Sequence, residues 1–195
     1  EYEKALETLT GVVKRVRKPA DWVNPLADLA RARDVFERAA DAFRKANRFD
    51  LALKLAGPYQ RLAPPARAEL LRGESAAAEA RARQEQGRQA KTPQEKTEAE
   101  TAARELFARA GAAYGQAAEQ ATAPAEQADA LWLSAAQYLA CRDFDQAADK
   151  LTRFLKLGQG PERQGEGYYL LGEAYRQANQ PAPASAAAAA PAATG

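Results

Sequence analysis

The chain has 195 residues, enough for one ordinary domain or a short repeat array. Lys plus Arg number 28 against 26 Asp plus Glu, and the net charge of +2 argues against nucleic acid as the main partner, which calls for a concentrated basic surface. With no His and a single Cys, Cys141, the chain lacks the commonest general base and metal ligand, and it can form neither an internal disulfide nor a multi-thiolate zinc site.

Ala, Leu, Glu, Gln, Arg and Lys dominate, and these are strong helix formers; no segment alternates as a strand does. In chain order the pattern predicts helices over 2–16, 24–46, 49–62, 65–89, 93–121, 124–140, 144–157 and 162–178, with a short one near 181–190. The basic run "VKRVRK" (Val13 to Lys18) reads as the solvated end of the first helix, because cations suit helix C-termini. "KPADWVNP" connects the first two helices, with Asn24-Pro25 as a start signal and Trp22 as a loop anchor over the core edge. The stretch 65–121 reads as a long polar hairpin broken at Thr92-Pro93, a helix start with Pro in the first turn. Its first helix carries few large apolar residues beyond Leu70 and Leu71, so its outer part is expected to protrude or fray. "GQGPERQGEG" (Gly158 to Gly167) reads as a turn between repeats: it follows a helix and lacks the Lys-Ser/Thr pair of a phosphate loop. The end, 179–195, is Ala/Pro-rich and is expected to form a short terminal helix or a disordered tail.

The segments repeat. "FRKANRFDLALKLAGPYQRL" (Phe43 to Leu62) falls on "YLACRDFDQAADKLTRFLKL" (Tyr138 to Leu157) at a shift of 95, superposing Phe49 on Phe144, Asp50 on Asp145, Ala52 on Ala147 and Tyr59 on Phe154. "YRQANQPAPA" (Tyr175 to Ala184) falls on "FRKANRFDLA", and "LFARAGAAY" (Leu106 to Tyr114) copies "VFERAADAF" (Val35 to Phe43). The opening "YEKALETL" resembles the half that begins at Phe49. Each copy reads as a helix, a tight turn and an antiparallel helix. Asn47 or Asn179 tolerates the left-handed turn, and Ala52, Ala147 and Ala184 permit close approach.

Three quartets carry a family likeness: Phe36, Ala40, Phe43, Ala52; then Leu131, Ala135, Tyr138, Ala147; then Tyr168, Gly172, Tyr175, Ala184. Large, small, aromatic and Ala in that spacing resemble the tetratricopeptide repeat, as do the turns "NRFD" and "CRDFD" and the helix-ending Pro64. The resemblance implies an all-α, right-handed solenoid of antiparallel helix pairs over 1–178. It also implies a groove, lined by the first helix of each pair, that accepts a peptide or helix of a partner protein. Carried over by position, the groove residues are Glu37, Asp41, Arg44 and Lys45, then Trp132, Ala136 and Leu139, then Tyr169, Glu173 and Arg176. The family's carboxylate clamp places Asn at positions that are Asp41, Ala136 and Glu173 here, and two acidic residues would repel a carboxylate. Trp132 and Tyr169 as aromatic anchors, with Arg44, Lys45, Leu139 and Arg176 around them, are the preferred alternative. The competing reading of Trp132 is core between helices.

Catalysis finds little footing. Ser75, Ser134 and Ser185 have no His to activate them, and Glu37 with Asp41, four apart on one helix, reads as a solvated face. The expectation is a non-enzymatic scaffold or adaptor without cofactor or metal. The alternative is an architectural spacer or a self-associating solenoid within a larger multidomain or membrane-associated protein. No run approaches the ~18 apolar residues of a transmembrane span. The Ala/Arg/Pro bias, and the absence of Ile, suggest a GC-rich bacterial genome, and the opening "EYEKALETL" suggests a fragment. Nothing indicates the compartment.

Overall fold

The computed structural model describes residues 1–24, 26–158 and 160–179. Among them are eight α-helices and no strand: α1 (Tyr2–Val12), α2 (Leu29–Lys45), α3 (Phe49–Tyr59), α4 (Pro65–Gln89), α5 (Pro93–Gln120), α6 (Pro124–Cys141), α7 (Phe144–Leu155) and α8 (Pro161–Ala178). From α2 onward each helix packs against the next in sequence, and α1 lies on α3. The short helix expected near 181–190, Ala184 and the tail 179–195 fall outside the described residues, apart from Asn179.

The starts of these helices are written locally. Asp28 accepts from the Arg31 backbone N–H at 2.7 Å and Asp143 from that of Gln146 at 3.2 Å. Thr92 and Glu95 form a reciprocal capping box at the start of α5. α4, α5, α6 and α8 all have Pro in the first turn, where the missing N–H costs nothing. α2 starts at Leu29, not at Asn24, because Asp28 supplies the cap that Asn24 does not; the Asn24 side chain accepts from the Leu26 N–H instead. α1 ends at Val12. Beyond it Val13 and Val16 turn inward and are buried. Trp22 does anchor its loop, donating from Nε1 to the Ala27 carbonyl at 3.0 Å. α8 begins at Pro161, so the Gly-rich stretch from Pro161 to Gly167 is helix rather than turn.

The repeat at a shift of 95 extends to the backbone hydrogen bonds. At the end of α2 the Arg48 N–H reaches the Phe43 carbonyl (2.8 Å) and the Asn47 N–H reaches that of Arg44 (3.0 Å). At the end of α6, Asp143 reaches Tyr138 (2.9 Å) and Arg142 reaches Leu139 (3.1 Å). Both are the paired bonds of a left-handed helix stop, with φ of 56° at Asn47 and 66° at Arg142. Asn179 does not repeat this: its φ is −90°. Arg at a left-handed position carries strain that Gly avoids. Arg142→Gly is therefore expected to raise stability by about 1 kcal/mol, read as a higher urea midpoint at unchanged slope. A lower midpoint would show that the Arg142 side chain holds the turn.

The stripes predicted to face the core do so in the two hairpins. Phe36, Ala40 and Phe43 are buried against α3, where Ala52 has no exposed surface and Tyr59 stacks on Phe36 with ring centroids 6.1 Å apart. Leu131, Ala135 and Tyr138 are buried with Ala147, Leu151 and Phe154 of α7. Between these hairpins, α4 and α5 meet through small residues: Ala76, Ala77 and Ala80 face Ala103, Ala110 and Tyr114. α4 is helical to Gln89. Gly87 is still buried there, because Ala and Gly let two backbones approach where Leu would hold them apart. The first turns of α5, over 93–98, are exposed.

The third copy differs. Tyr168 and Tyr175 are 63% and 54% exposed, and a Cβ on Gly172 would meet nothing within 4 Å. The stripe that α3 and α7 cover in the earlier copies has no covering helix among the described residues. α8 is held by its other side, with Gly167 under the ring of Phe154 and Ala174 fully buried.

Candidate protein-binding groove

α2, α4 and α6 wall one open groove of about 670 Å³, closed at its floor by the start of α4 and the end of α5. Its apolar surface comes from Leu70, Leu133, Pro64, Pro65, Ala66 and Ala117. Leu133 is 37% exposed, and Leu70 is half-buried between this surface and the core. Carboxylates stand on all three walls: Asp34 and Glu37 from α2, Glu74 from α4, Glu126 and Asp129 from α6.

The groove narrows into a recess of about 230 Å³ lined by Glu37, Arg44, Tyr59, Arg67, Leu70 and Glu74. Arg44 lies 3.2 Å from Glu74 and 3.8 Å from Asp41, and its Nη1 is buried without a hydrogen bond. The Tyr59 hydroxyl donates to Glu37. Burial, and then the Glu37 carboxylate, push the Tyr59 pKa well above the ordinary tyrosine range. Loss of hydration at the half-exposed Glu74 raises its pKa, an effect that Arg44 opposes. Arg33 is tied to the Leu62 carbonyl at 2.6 Å, which leaves Arg67 as a groove cation whose side chain has neither hydrogen bond nor ion pair among the described residues.

Of the residues carried over by position, Glu37 and Arg44 line this groove. Lys45 is one residue past it, exposed and 2.7 Å from Asp41, whose pKa that contact lowers. Trp132 packs elsewhere: its ring is 5.1 Å from Phe154, with the Arg163 guanidinium 5.9 Å above it. The groove face of α6 belongs to its neighbour Leu133. Leu139 packs against Tyr138, Ala147 and Ala174. Tyr169 is 70% exposed on α8, and Arg176 is engaged with Glu173 at 3.0 Å (Nε to Oε2); neither lines the groove. The α4 wall was not anticipated, although "ELLRGE" (Glu69 to Glu74) held a signal. Adjacent leucines on a helix point about 100° apart, so Leu70 and Leu71 cannot both face the same core.

Ser75 and Ser134 are both engaged with backbone carbonyls, and Ser185 lies outside the described residues. Ser134 is fully buried and donates to the Gly111 carbonyl at 2.7 Å, tying α6 to α5; Ser75 donates to the Leu71 carbonyl at 2.8 Å. Cys141 donates to the Tyr138 carbonyl at 3.3 Å, and burial pushes its thiol pKa up, which keeps it protonated near neutrality. Among the described residues no three His, Cys, Asp or Glu could hold a metal ion, and no helix is long and apolar enough to cross a membrane. No family model matches the chain, and no curated protein or solved structure matches it.

Burial gives the tyrosines a measurable signature. Tyr114 is pushed up to about 12, and Tyr59 and Tyr138 are also raised, in each case chiefly by burial. The unfolded chain releases these protons near pH ~10. The folded state holds them longer, so stability is expected to fall as pH rises from ~10 through about 12. Phenolate absorbance should show a late-titrating group that Tyr114→Phe removes; titration of Tyr114 at the ordinary value would contradict its burial between α4 and α5.

Proposed function

We propose that this chain is a non-enzymatic protein-interaction module, a right-handed solenoid resembling tetratricopeptide repeats, and that it binds a partner segment in the groove between α2, α4 and α6. The observation that carries the reading is the groove's construction: an apolar floor with carboxylates on three helices. Open grooves of this size that pair apolar surface with placed polar groups suit an extended or helical peptide. Five carboxylates against Arg33, Arg44 and Arg67 leave the groove acidic, although Asp34, Glu74 and Asp129 are paired with Arg38, Arg44 and Arg163; the balance favours a segment with aliphatic side chains flanked by Lys or Arg. The test is selection of binders from a random 15-residue peptide library, followed by Leu133→Asp and Leu70→Asp in the protein. Binders rich in aliphatic and basic residues, weakened by about tenfold or more by Leu133→Asp, support the reading. Binders indifferent to both substitutions would refute it. Leu133 is the cleaner site, since Leu70 also touches the core.

A further inference from the structure

Toward the tip of the α4–α5 hairpin lies a second cleft, of about 640 Å³, formed by the end of α4, the first half of α5 and the end of α6. Its charge is opposite to that of the groove. Arg88, Lys96, Arg104 and Arg142 line it, against one carboxylate, Glu100. Arg88 is 3.2 Å from Glu85. The side chains of Lys96, Arg104 and Arg142 make neither hydrogen bonds nor ion pairs among the described residues. Three long cations on two helices therefore converge on one concave surface without a counter-charge of their own. Gly87, Ala103, Ala140 and the edge of Phe107 supply the apolar floor.

Arg142 is a second and independent pointer. It occupies the left-handed stop of α6 at φ 66°, where the matching residue after α2 is Asn47, a type that tolerates this conformation. An Arg at such a position spends stability that Gly would keep, and local strain of this kind concentrates at functional sites. The stop also fixes the direction in which Arg142 leaves the backbone, and that direction is into the cleft.

We infer that this cleft is a second binding site, and that it takes an acidic segment of a partner protein, a stretch with two or three Asp or Glu side chains. An acidic peptide is favoured over a nucleic-acid backbone because the cleft holds only four cations, in one short concavity, on a chain whose net charge is only +2. The site is independent of the groove, so each can fail alone.

The test uses a fluorescein-labelled 12-residue peptide of alternating Glu and Ala, its Gln/Ala counterpart and a single-stranded oligonucleotide, read by anisotropy at low salt. The Glu peptide is expected to bind and the Gln peptide not. Lys96→Glu with Arg104→Glu should abolish binding. Arg142→Gly should weaken it by about tenfold while raising the urea midpoint, a combination that a purely structural role for Arg142 would not give. Failure of the Glu peptide to bind, or binding indifferent to these substitutions, overturns the proposal. Tighter, equally variant-sensitive binding of the oligonucleotide overturns the choice of ligand in favour of nucleic acid.

Discussion

Replacing Phe154 with alanine is expected to lower the folding free energy by about 3–5 kcal/mol, the usual cost of removing a buried Phe from a packed core. Phe154 has no exposed surface. Its ring meets Trp132 of α6 at 5.1 Å, covers Gly167 of α8, and carries the Arg163 guanidinium 5.2 Å above it. One side chain of α7 thus joins three helices, and Gly167 lets α8 come close enough to be joined. In a structure whose helices pack mainly on their neighbours, the damage should be local first. Limited proteolysis of Phe154→Ala is expected to release α8 while the α2–α3 hairpin stays protected. Simultaneous loss of both would show a single cooperative unit; no loss of stability would show that the ring is not buried as described.

Gly73 supplies the second large effect, with the opposite geometry. A Cβ at this position would stand 2.7 Å from Cε1 and 2.8 Å from Cδ1 of the Tyr114 ring, closer than real contacts allow. Tyr114 is itself buried, at 4% exposed. Gly inside a helix costs roughly 1 kcal/mol relative to Ala, so its presence here is explained by packing and not by propensity. Gly73→Val is expected to cost about 2 kcal/mol through overpacking, and Tyr114→Leu in that background should recover part of the loss. Gly87 is the control. Its added Cβ would meet the Ala99 Cβ at 3.4 Å, an ordinary contact, so Gly87→Ala should be neutral or stabilising by up to about 1 kcal/mol. If Gly73 and Gly87 respond alike in the urea midpoint, the close approach of α4 and α5 at Tyr114 is wrong.

These two sites show what could be read from the chain and what could not. Phe36, Ala40, Phe43 and Ala52 recur as Leu131, Ala135, Tyr138 and Ala147, and that spacing identified two hairpins because large and small residues four apart can only stack one way. The α4–α5 contact left a weaker trace. Ala and Gly are good or neutral on any helix face, so a sequence rich in them does not say which face is covered. The same ambiguity hid the groove. Trp132 and Leu133 follow the core residue Leu131, and neither neighbour is more plausible on periodicity alone. Phe154 and Arg163, distant in sequence, draw Trp132 toward α7 and α8 and leave Leu133 on the groove side. Tyr168, Gly172 and Tyr175 keep the spacing of the buried stripes, yet the spacing does not tell whether a covering helix is present.

The groove between α2, α4 and α6 is tested most directly by nuclear magnetic resonance mapping of the tightest peptide from the library selection. The expected result is that the methyl signals of Leu70 and Leu133 and the amides around Ala66, Glu74 and Asp129 shift together on titration. Shifts confined to the exposed Tyr168, Tyr169 and Tyr175 of α8, with Leu133 unmoved, would contradict it.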